Sequence, residues 1–343
     1  MLIFTLRRLN LFFFTMLLLT LISFSLSFLF PGDSLVNLTG QVYANDEELA
    51  YLGTQYDVNE NYFRQYIAYL AHIFSGDLGM SMSSQMPIIQ EVLLVLPATI
   101  ELSLVAFLLA TLVGIPLGFI AAINHGKLID NAILVVALVG SSMPVFWLGL
   151  FAILFFSIQL GWLPSSGQIS LLFEIEHITG ILLIDILFSD SEFKWQAFQN
   201  ALAHIVLPAC VIALAPATVF IRLARTAMLT VLNTSYIKAT MAKGLSYNQI
   251  IFRHAIRNSL IKVIQYVGLQ FANLVTLAMI TEVIFNWPGI GRWLIESIYQ
   301  RDYTAIQGGL LVLSTFIFVV HIITDYCYAA LNPLAREARF GSR

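Results

Sequence analysis

Basic side chains are concentrated in one polar segment of this otherwise apolar chain, residues 236–258, which read YIKATMAKGLSYNQIIFRHAIRN. Its cations are Lys238, Lys243, Arg253 and Arg257. Segments with such an excess of Lys and Arg stay on the cytoplasmic side of a membrane protein. A short helix with an apolar stripe and basic flanks is suited to bind a groove on a soluble partner. The alternative is an ordinary solvated loop between two membrane spans.

The same segment begins with the pattern of a short helix. Residues 235–243 suit a helix that places Ile237, Met241 and Leu245 on one stripe. Gly244 then stands where helices commonly end in a left-handed residue. The pattern therefore predicts a helix that ends at this glycine.

A second helix start follows at once. Ser246 and Gln249 have the spacing of a capping box. The helix that it starts would run through Ile250, Ile251 and His254. The whole segment is thus predicted to be a helix–glycine–helix hairpin.

No catalytic motif accompanies this hairpin. A phosphate-binding loop of the G-x-x-x-x-G-K-[ST] type is absent, because the residue five positions before Gly126 is Ala121 and the residue after Lys127 is Leu128. Neither HExxH nor GxSxG occurs. The two cysteines show no disulfide framework and no metal-ligand spacing. We therefore expect no catalytic, cofactor-binding or metal site, and any ATP that drives this protein is expected to bind another polypeptide.

The composition places the chain in a membrane. Hydrophobic residues make up 59% of the 343 residues and charged residues 11%, with a mean hydropathy of +0.83. Soluble proteins carry about a quarter charged residues. Six apolar runs are long enough to span a bilayer, which needs about 20 residues. They are Leu9–Phe30, Ala98–Ile123, Ala132–Leu160, Ala203–Ile221, Val263–Thr281 and Ala305–Thr324.

The distribution of Lys and Arg predicts that both termini are cytoplasmic. With this orientation, thirteen of the 17 Lys and Arg residues lie in cytoplasmic segments and four lie outside, as the positive-inside rule requires. The outer segments 31–97 and 161–202 are acidic. Such a face could attract cationic solutes or a basic docking surface, or it could reflect only the exclusion of bases from that side. The run 180–188 is too short to span and is expected to be an interfacial or re-entrant helix.

Several residues within or near the spans have a predicted structural role. Gly114 and Gly118 form a small-xxx-small pair, which allows close approach of a second helix. Prolines are expected to kink the spans. Glu101 lies near an outer end, where interfacial solvation is expected. The ionisable residues within or near the spans show no spacing typical of a proton relay; they are Glu101, His204, His321 and Asp325. The prolines within or near the spans are Pro116, Pro144, Pro208 and Pro216.

The segment FNWPGIGRWL, residues 285–294, is predicted to turn tightly after the fifth span. Pro288 presets its own backbone and Gly289 permits positive φ. Trp287 and Trp293 suit the membrane–water boundary. The segment is either an anchor for the helix ends or part of an outer gate that includes Trp287, Pro288, Gly289 and Gly291.

Six stretches of the chain resemble the permease subunits of ABC importers, in the form typical of dipeptide and oligopeptide permeases. YIKATMAKGLS (236–246) with RHAIRNSL (253–260) is similar to the cytoplasmic loop of that family. The segment ITGILLIDILFSDS (178–191) is most similar to the Sap peptide-transport branch. The other stretches, in the family's order, are VLPATIELSL (95–104), SSMPVFWLGL (141–150), LGWLPSSG (160–167) and VIFNWPGIGRWL (283–294).

The resemblance implies an all-α membrane protein with six transmembrane helices of the type I ABC-importer permease fold and a sizeable periplasmic segment after the first helix. The implied divisions are 1–30 for the cytoplasmic N-terminus and first helix, 31–97 for the periplasmic segment, 98–331 for a five-helix core and 332–343 for a cytoplasmic tail. The core includes a coupling loop at 229–262.

The resemblance also implies function, partners and sites. The function is peptide transport across the bacterial inner membrane, cationic antimicrobial peptides included, with polyamine (putrescine) transport as an alternative. The partners are a second homologous permease, two ABC ATPase subunits that hold ATP, a periplasmic solute-binding protein and membrane lipid, without nucleic acid. The implied ATPase-coupling residues are Tyr236, Ile237, Lys238, Ala239, Met241, Ala242, Lys243, Gly244, Leu245, Ser246, Arg253 and His254.

An ion-coupled secondary transporter is the alternative from another class. It would need buried ionisable groups near mid-membrane and often an inverted repeat. The sequence shows neither.

Overall fold

The computed structural model describes residues 2–41, 46–58 and 60–331, and within these ranges the regular structure is helical apart from one isolated bridge between Met80 and Pro87. The chain divides into two compact units. The terminal unit comprises Met1–Pro97 and Pro288–Val319, and the core unit comprises Ala98–Trp287 and Val320–Arg343. The expected cytoplasmic tail, 332–343, lies outside the described residues.

Most helices follow one another with short connections, and the longest connections run from Phe74 to Ile88 and from Gln159 to Leu182. The first five are α1 (Leu2–Leu29), α2 (Ser34–Thr39), α3 (Asp46–Gln55), α4 (Tyr62–Phe74) and α5 (Ile88–Ile123). Next come α6 (Leu128–Ser142), α7 (Val145–Ala152) with a π-helical continuation Ile153–Gln159, α8 (Leu182–Phe188) and α9 (Lys194–Leu232). The remainder are α10 (Ser235–Ala242), α11 (Tyr247–Gln249), a π-helical turn Ile250–Ala255, α12 (Ile256–Ile284), α13 (Ile290–Gln300) and α14 (Tyr303–Leu331).

The six predicted spans lie on helices, apart from Phe30, Leu160 and a break at Met143 and Pro144, which confirms the all-α prediction. Among the described residues, four helical stretches are long and apolar enough to cross a membrane, and the bent pair α6–α7 makes a fifth if it counts as one span. α12 contributes a shorter apolar stretch, Gln270–Ile284. The four long stretches are Leu6–Leu29, Ile88–Ile123, Lys194–Leu232 and Tyr303–Thr324.

The third predicted span, Ala132–Leu160, is wrong as a single helix, because α6 and α7 meet at a 100° bend. Met143 is extended, with φ −90° and ψ 135°, and Pro144 follows it as the residue before α7. Proline cannot donate a backbone hydrogen bond and keeps the residue before it out of the helical region, so the helix ends there. Pro208 and Pro216, by contrast, lie inside α9, which continues for 39 residues.

Close packing of α5 on α9 forms the centre of the core unit. A Cβ atom at Gly114 would lie 2.8 Å from the carbonyl oxygen of Ala217, and one at Gly118 would lie 2.5 Å from that of Ile221. Only glycine allows the two backbones to approach this closely, so the predicted small-residue contact is confirmed. Buried alanines continue the same face of α5 toward its start, at Ala98, Ala106 and Ala110.

In the terminal unit, the short helices between α1 and α5 pack on α1 and on the start of α14. Ser23 of α1 hydrogen-bonds Tyr69 of α4 at 3.0 Å. Asp302, which is buried just before α14, accepts bonds from the Ser81 hydroxyl at 2.7 Å and the Ser83 amide at 3.0 Å. The described residues of the predicted periplasmic segment, 31–41, 46–58 and 60–97, are therefore largely helical.

Candidate functional site

The polar segment that follows α9 folds as the predicted hairpin. α10 spans Ser235–Ala242, one residue shorter than predicted, and Gly244 has a left-handed φ of +82°. The Ser246 side chain accepts from the Gln249 amide, and the Gln249 side chain accepts from the Ser246 amide, so the capping box is confirmed. The return leg is α11 and the π-helical turn Ile250–Ala255, which leads into α12. We call residues 235–255 the coupling hairpin.

The inner side of the coupling hairpin is fixed to the core. Ile237 and Ile250 are fully buried, in one apolar cluster with Met228 and Val231 of α9. Ile251 and Ala255 join the same cluster, and Thr240 is also buried. Burial of a large aliphatic side chain stabilises by about 1.5–3 kcal/mol, so several such contacts hold the hairpin firmly against α9 and α12.

The outer side of the coupling hairpin is exposed and partly apolar. Tyr236, Met241 and Tyr247 are each about half exposed. The Tyr236 hydroxyl and His254 Nδ1 lie 2.7 Å apart and join the two legs. Exposed small and polar groups complete this surface; they are Lys238, Ala239, Ala242, Lys243, Gly244, Ser246 and Arg253.

The predicted stripe of Ile237, Met241 and Leu245 is therefore wrong as one face. Ile237 is buried, Leu245 is half-buried and Met241 is exposed. The reason is that the core covers α10 only at Ile237 and Thr240, so the end of the helix projects away from it. Whether an apolar side chain at the end of a short helix packs on the core depends on the elements beside it, and residue spacing alone does not reveal them.

A buried ion pair near the same end of α9 was not predicted. Arg225 donates from Nε to Asp130 Oδ1 at 2.7 Å and from Nη2 to Asp130 Oδ2 at 2.8 Å. Asp130 is 1% exposed and also accepts from the Gly126 amide at 3.0 Å, and His125 Nδ1 lies 3.1 Å from its Oδ2. The partners are 95 residues apart in sequence, and no local signal links them.

The segment predicted as an outer gate lies at the end of α12 and the start of α13. Trp287, expected at the membrane–water boundary, is 1% exposed, and its Nε1 donates to the Ala98 carbonyl at 3.0 Å. The boundary prediction is therefore wrong for this tryptophan, because its indole NH is satisfied inside the core. The positive φ, +51°, belongs to Asn286, whereas Gly289 is extended.

The remaining residues of this segment belong to the terminal unit. Pro288 and Gly289 precede α13, and Gly291 is buried within its first turn. Trp293 is half-buried, and its Nε1 donates to Glu91 Oε2 at 3.1 Å. The chain turns at Phe285 and Asn286 rather than at the predicted Pro288 and Gly289, and both tryptophans of the segment pack into protein.

Two carboxylates in the core unit are buried and hydrogen-bonded, and the first of them holds the connection between α7 and α9. Glu101 was expected to be solvated; instead it is buried and accepts from Gln168 Nε2 at 2.6 Å and from the Leu183 amide at 2.8 Å. The prediction failed because the chain after α7 folds back over this part of α5. Glu282 of α12, outside the predicted span limits, is also buried and accepts from the Thr99 hydroxyl at 2.6 Å.

The predicted interfacial helix, α8, is anchored by Asp185. This carboxylate is fully buried and accepts from the Thr179 amide at 2.7 Å, the Thr179 hydroxyl at 2.6 Å and the Gly180 amide at 3.0 Å. Burial alone would raise the pKa of Asp185, but these hydrogen bonds outweigh it and hold the pKa below its usual range. Asp325 lies near the inner end of the last predicted span, where its sequence position predicts a pair with Arg336 or with a neighbouring helix; Arg336 lies outside the described residues.

Comparisons with known proteins agree with the sequence motifs. Residues 114–337 match the family model of the binding-protein-dependent transport system inner membrane component, and residues 1–103 match the N-terminal model of such membrane components. The chain is 41% identical to a di/tripeptide transport system permease protein of Pseudomonas aeruginosa, over 99% of this chain and 100% of that protein. It is 40% identical to the putrescine export system permease protein SapB of Escherichia coli K12, over 100% of both chains. The E. coli K12 dipeptide transport system permease protein is 37% identical, over 99% and 100%.

A solved structure shares the fold. A chain of the MetNI methionine ABC transporter, in an inward-facing conformation, superposes with a TM-score of 0.50 at 17% identity. The match covers 68% of this chain and 93% of that one. At this identity the match concerns the fold alone.

Proposed function

This chain belongs to the family of binding-protein-dependent transport system inner membrane components, and on that premise we propose that it is the permease subunit of an ATP-driven transporter that moves peptides across the bacterial inner membrane. A permease of this family is a transport subunit without an ATPase site of its own. Family membership displaces the alternative of an ion-coupled secondary transporter. ATP is proposed to bind partner subunits.

The coupling hairpin is the observation that carries this proposal. Its inner side is buried against α9 and α12, while Tyr236, Met241 and Tyr247 are exposed beside lysines. A rigidly held helix with an exposed, partly apolar surface is suited to bind a groove on a soluble protein. We assign that groove to an ABC ATPase subunit.

The mechanism follows from how the coupling hairpin is attached. ATP binding would draw two ATPase subunits together, and each would displace the hairpin seated in its groove. Because Ile237 and Ile250 are buried in the same cluster as residues of α9, that displacement reaches the long helices directly. The spans would then alternate between outward and inward access, with a second homologous permease completing the pathway.

The orientation is part of the proposal. The coupling hairpin and both termini are assigned to the cytoplasm, because thirteen of the 17 Lys and Arg residues then lie on that side. The segment that holds Pro288, Gly289 and Gly291 would lie at the periplasmic end as part of the outer gate, near a docked solute-binding protein, with Pro288 exposed and the two glycines buried. Trp287 is assigned instead to folding, since it is buried.

Putrescine is the second candidate cargo. One relative of 40% identity is named a putrescine export permease, and others of similar identity are named for peptides. The acidic outer segments are compatible with either kind of cargo. Uptake or efflux assays with labelled putrescine and with a labelled tryptic peptide mixture would separate the two.

The direct test is isolation of the complex from native membranes. The affinity-tagged chain should bring with it an ABC ATPase and a second permease, and the complex should hydrolyse ATP faster when its peptide-loaded binding protein is added. Isolation of the chain without any ATPase, under conditions that retain the second permease, would contradict the proposal.

A further inference from the structure

The Asp130–Arg225 ion pair joins two helices that otherwise meet mainly through apolar contacts. Both carboxylate oxygens of Asp130 are bound by Arg225, at 2.7 and 2.8 Å, and the Gly126 amide adds a third bond. Two parallel charge-assisted bonds fix the relative orientation of their partners as well as their distance. Asp130 lies in the first turn of α6, so the pair fixes the start of that helix on α9.

The position of the pair links it to the coupling hairpin. Arg225 stands two turns before the end of α9 at Leu232, and α10 begins at Ser235. Further along the same contact, the Thr218 hydroxyl of α9 donates to the Ala137 carbonyl of α6 at 2.9 Å. α6 is therefore held to α9 by directional bonds at two points, and it ends at the 100° bend that leads into α7.

Stability alone is a weak explanation for such a pair. Asp130 is buried, while the Arg225 side chain remains 20% exposed. Ion pairs that are withdrawn from water often contribute no more to stability than apolar side chains of similar volume would, because the loss of hydration offsets the attraction between the charges. What a bidentate pair provides beyond an apolar contact is fixed geometry. A helix that must follow another through repeated displacement needs such geometry, whereas a static contact does not.

We propose that Asp130 and Arg225 are positioning residues that make α6 move with α9, so that displacement of the coupling hairpin reaches the bent span α6–α7. This inference rests on the proposed function, since it supposes that an ATPase displaces the hairpin. The role proposed for them requires no contact with cargo or nucleotide. Their effect would be on coupling between ATP hydrolysis and transport.

The decisive variant replaces the pair by apolar residues, Asp130→Leu with Arg225→Met. It leaves no charge unpaired in a buried site, so assembly and melting temperature of the complex should stay close to those of the parent. Basal ATP hydrolysis should remain within about twofold. Stimulation of hydrolysis by binding protein loaded with tryptic casein peptides should fall at least fivefold, near the low end of the roughly 5- to 150-fold range of typical coupling between sites.

Two further variants make the test specific. Arg225→Lys keeps the charge but loses the planar fork, so stimulation should fall to an intermediate level. Lys127→Gln removes an exposed charge from the same turn without touching the pair, and it should behave as the parent.

Each outcome bears on the inference. Parent-like stimulation in the apolar pair would show that the ion pair serves the fold alone and would overturn the proposal. Failure of both the apolar pair and Arg225→Lys to assemble would overturn it too. If the parent complex itself lacked stimulation and uptake, the proposed function would fail first, whatever the variants did.

Discussion

Gly244→Val isolates the backbone geometry of the coupling hairpin from its packing. Gly244 has a φ of +82°, and a Cβ atom added there would meet nothing within 4 Å. The first side-chain atom of a valine therefore meets open space. Its whole cost comes from holding a β-branched residue in the left-handed region.

That cost is about 1–2 kcal/mol for an ordinary L-residue. If the hairpin relieves the strain by shifting its turn, the native arrangement becomes about 5- to 30-fold less populated relative to the alternative. A partner that binds only the native arrangement then binds correspondingly more weakly. Gly244→Asn should cost less, because asparagine is enriched in left-handed positions.

The assay is the apparent Kd of the ATPase subunit for the permease in detergent, with peptide-stimulated ATP hydrolysis as the second readout. The order of affinity should be glycine, asparagine, alanine, valine. Gly76→Val is the matched control: Gly76 has φ +87° and also has nothing within 4 Å of an added Cβ, but it lies far along the chain from the hairpin. It should leave ATPase affinity unchanged.

Equal ATPase affinity for Gly244→Val and the parent would refute this reasoning. So would equal loss of affinity in the two valine variants, because the effect would then be general destabilisation. If ATPase affinity falls only in the Gly244 variants, in the order of each residue's preference for the left-handed region, partner binding depends on the geometry of this turn.

Three further predictions concern orientation, the buried tryptophan and pH. In a chain with its two native cysteines replaced, Ser166→Cys should react with an impermeant thiol reagent from outside the inner membrane, and Asn248→Cys only after that membrane is opened; external labelling of position 248 would reverse the assigned orientation. Trp287→Ala should lower thermal stability and protein level through a core loss of about 3–5 kcal/mol, with uptake per assembled complex retained, whereas normal protein level with lost uptake would restore a gate role. The lowered pKa of Asp185 means that its stabilising contribution is present above its unfolded-state pKa of about 4 and is lost as pH falls below that value through the lower folded-state pKa. Asp185→Asn should therefore flatten the fall of the melting temperature with pH below about pH 4; an unchanged slope would show that this carboxylate does not control acid stability.

Local signals in the sequence were sufficient for the coupling hairpin. Ser246 and Gln249 lie three residues apart and hydrogen-bond each other's backbone amides, and the turn itself requires the left-handed backbone of Gly244. Such features depend on neighbouring residues, so their types and spacing predict them. The close approach of α5 to another helix at Gly114 and Gly118 was predictable from the residue type itself, since only small residues permit it.

Features that depend on distant residues were not predictable. Asp130 meets Arg225 across 95 residues, and Glu101 meets Gln168 across 67. The burial of Trp287 depends on the Ala98 carbonyl, which an amphipathic pattern cannot reveal. In membrane spans nearly every position is apolar, so hydrophobic periodicity no longer distinguishes the face that packs on protein.

The bend between α6 and α7 shows the same limit. The run 132–160 is apolar throughout, and a proline within such a run is compatible with a kink, a break or a continuous helix. Pro144 breaks its helix, whereas Pro208 and Pro216 do not interrupt α9. The surrounding packing decides between these outcomes.

Photocrosslinking from α10 tests the central claim most directly. A photoreactive amino acid in place of Met241, which is 45% exposed at the projecting end of α10, should crosslink to an ABC ATPase subunit in intact membranes. The same group in place of Leu172, which is 90% exposed in the predicted outer connection, should give no ATPase adduct. An ATPase adduct from position 241 alone is the predicted result; its absence in complexes that hydrolyse ATP, or an ATPase adduct from position 172, would contradict the account.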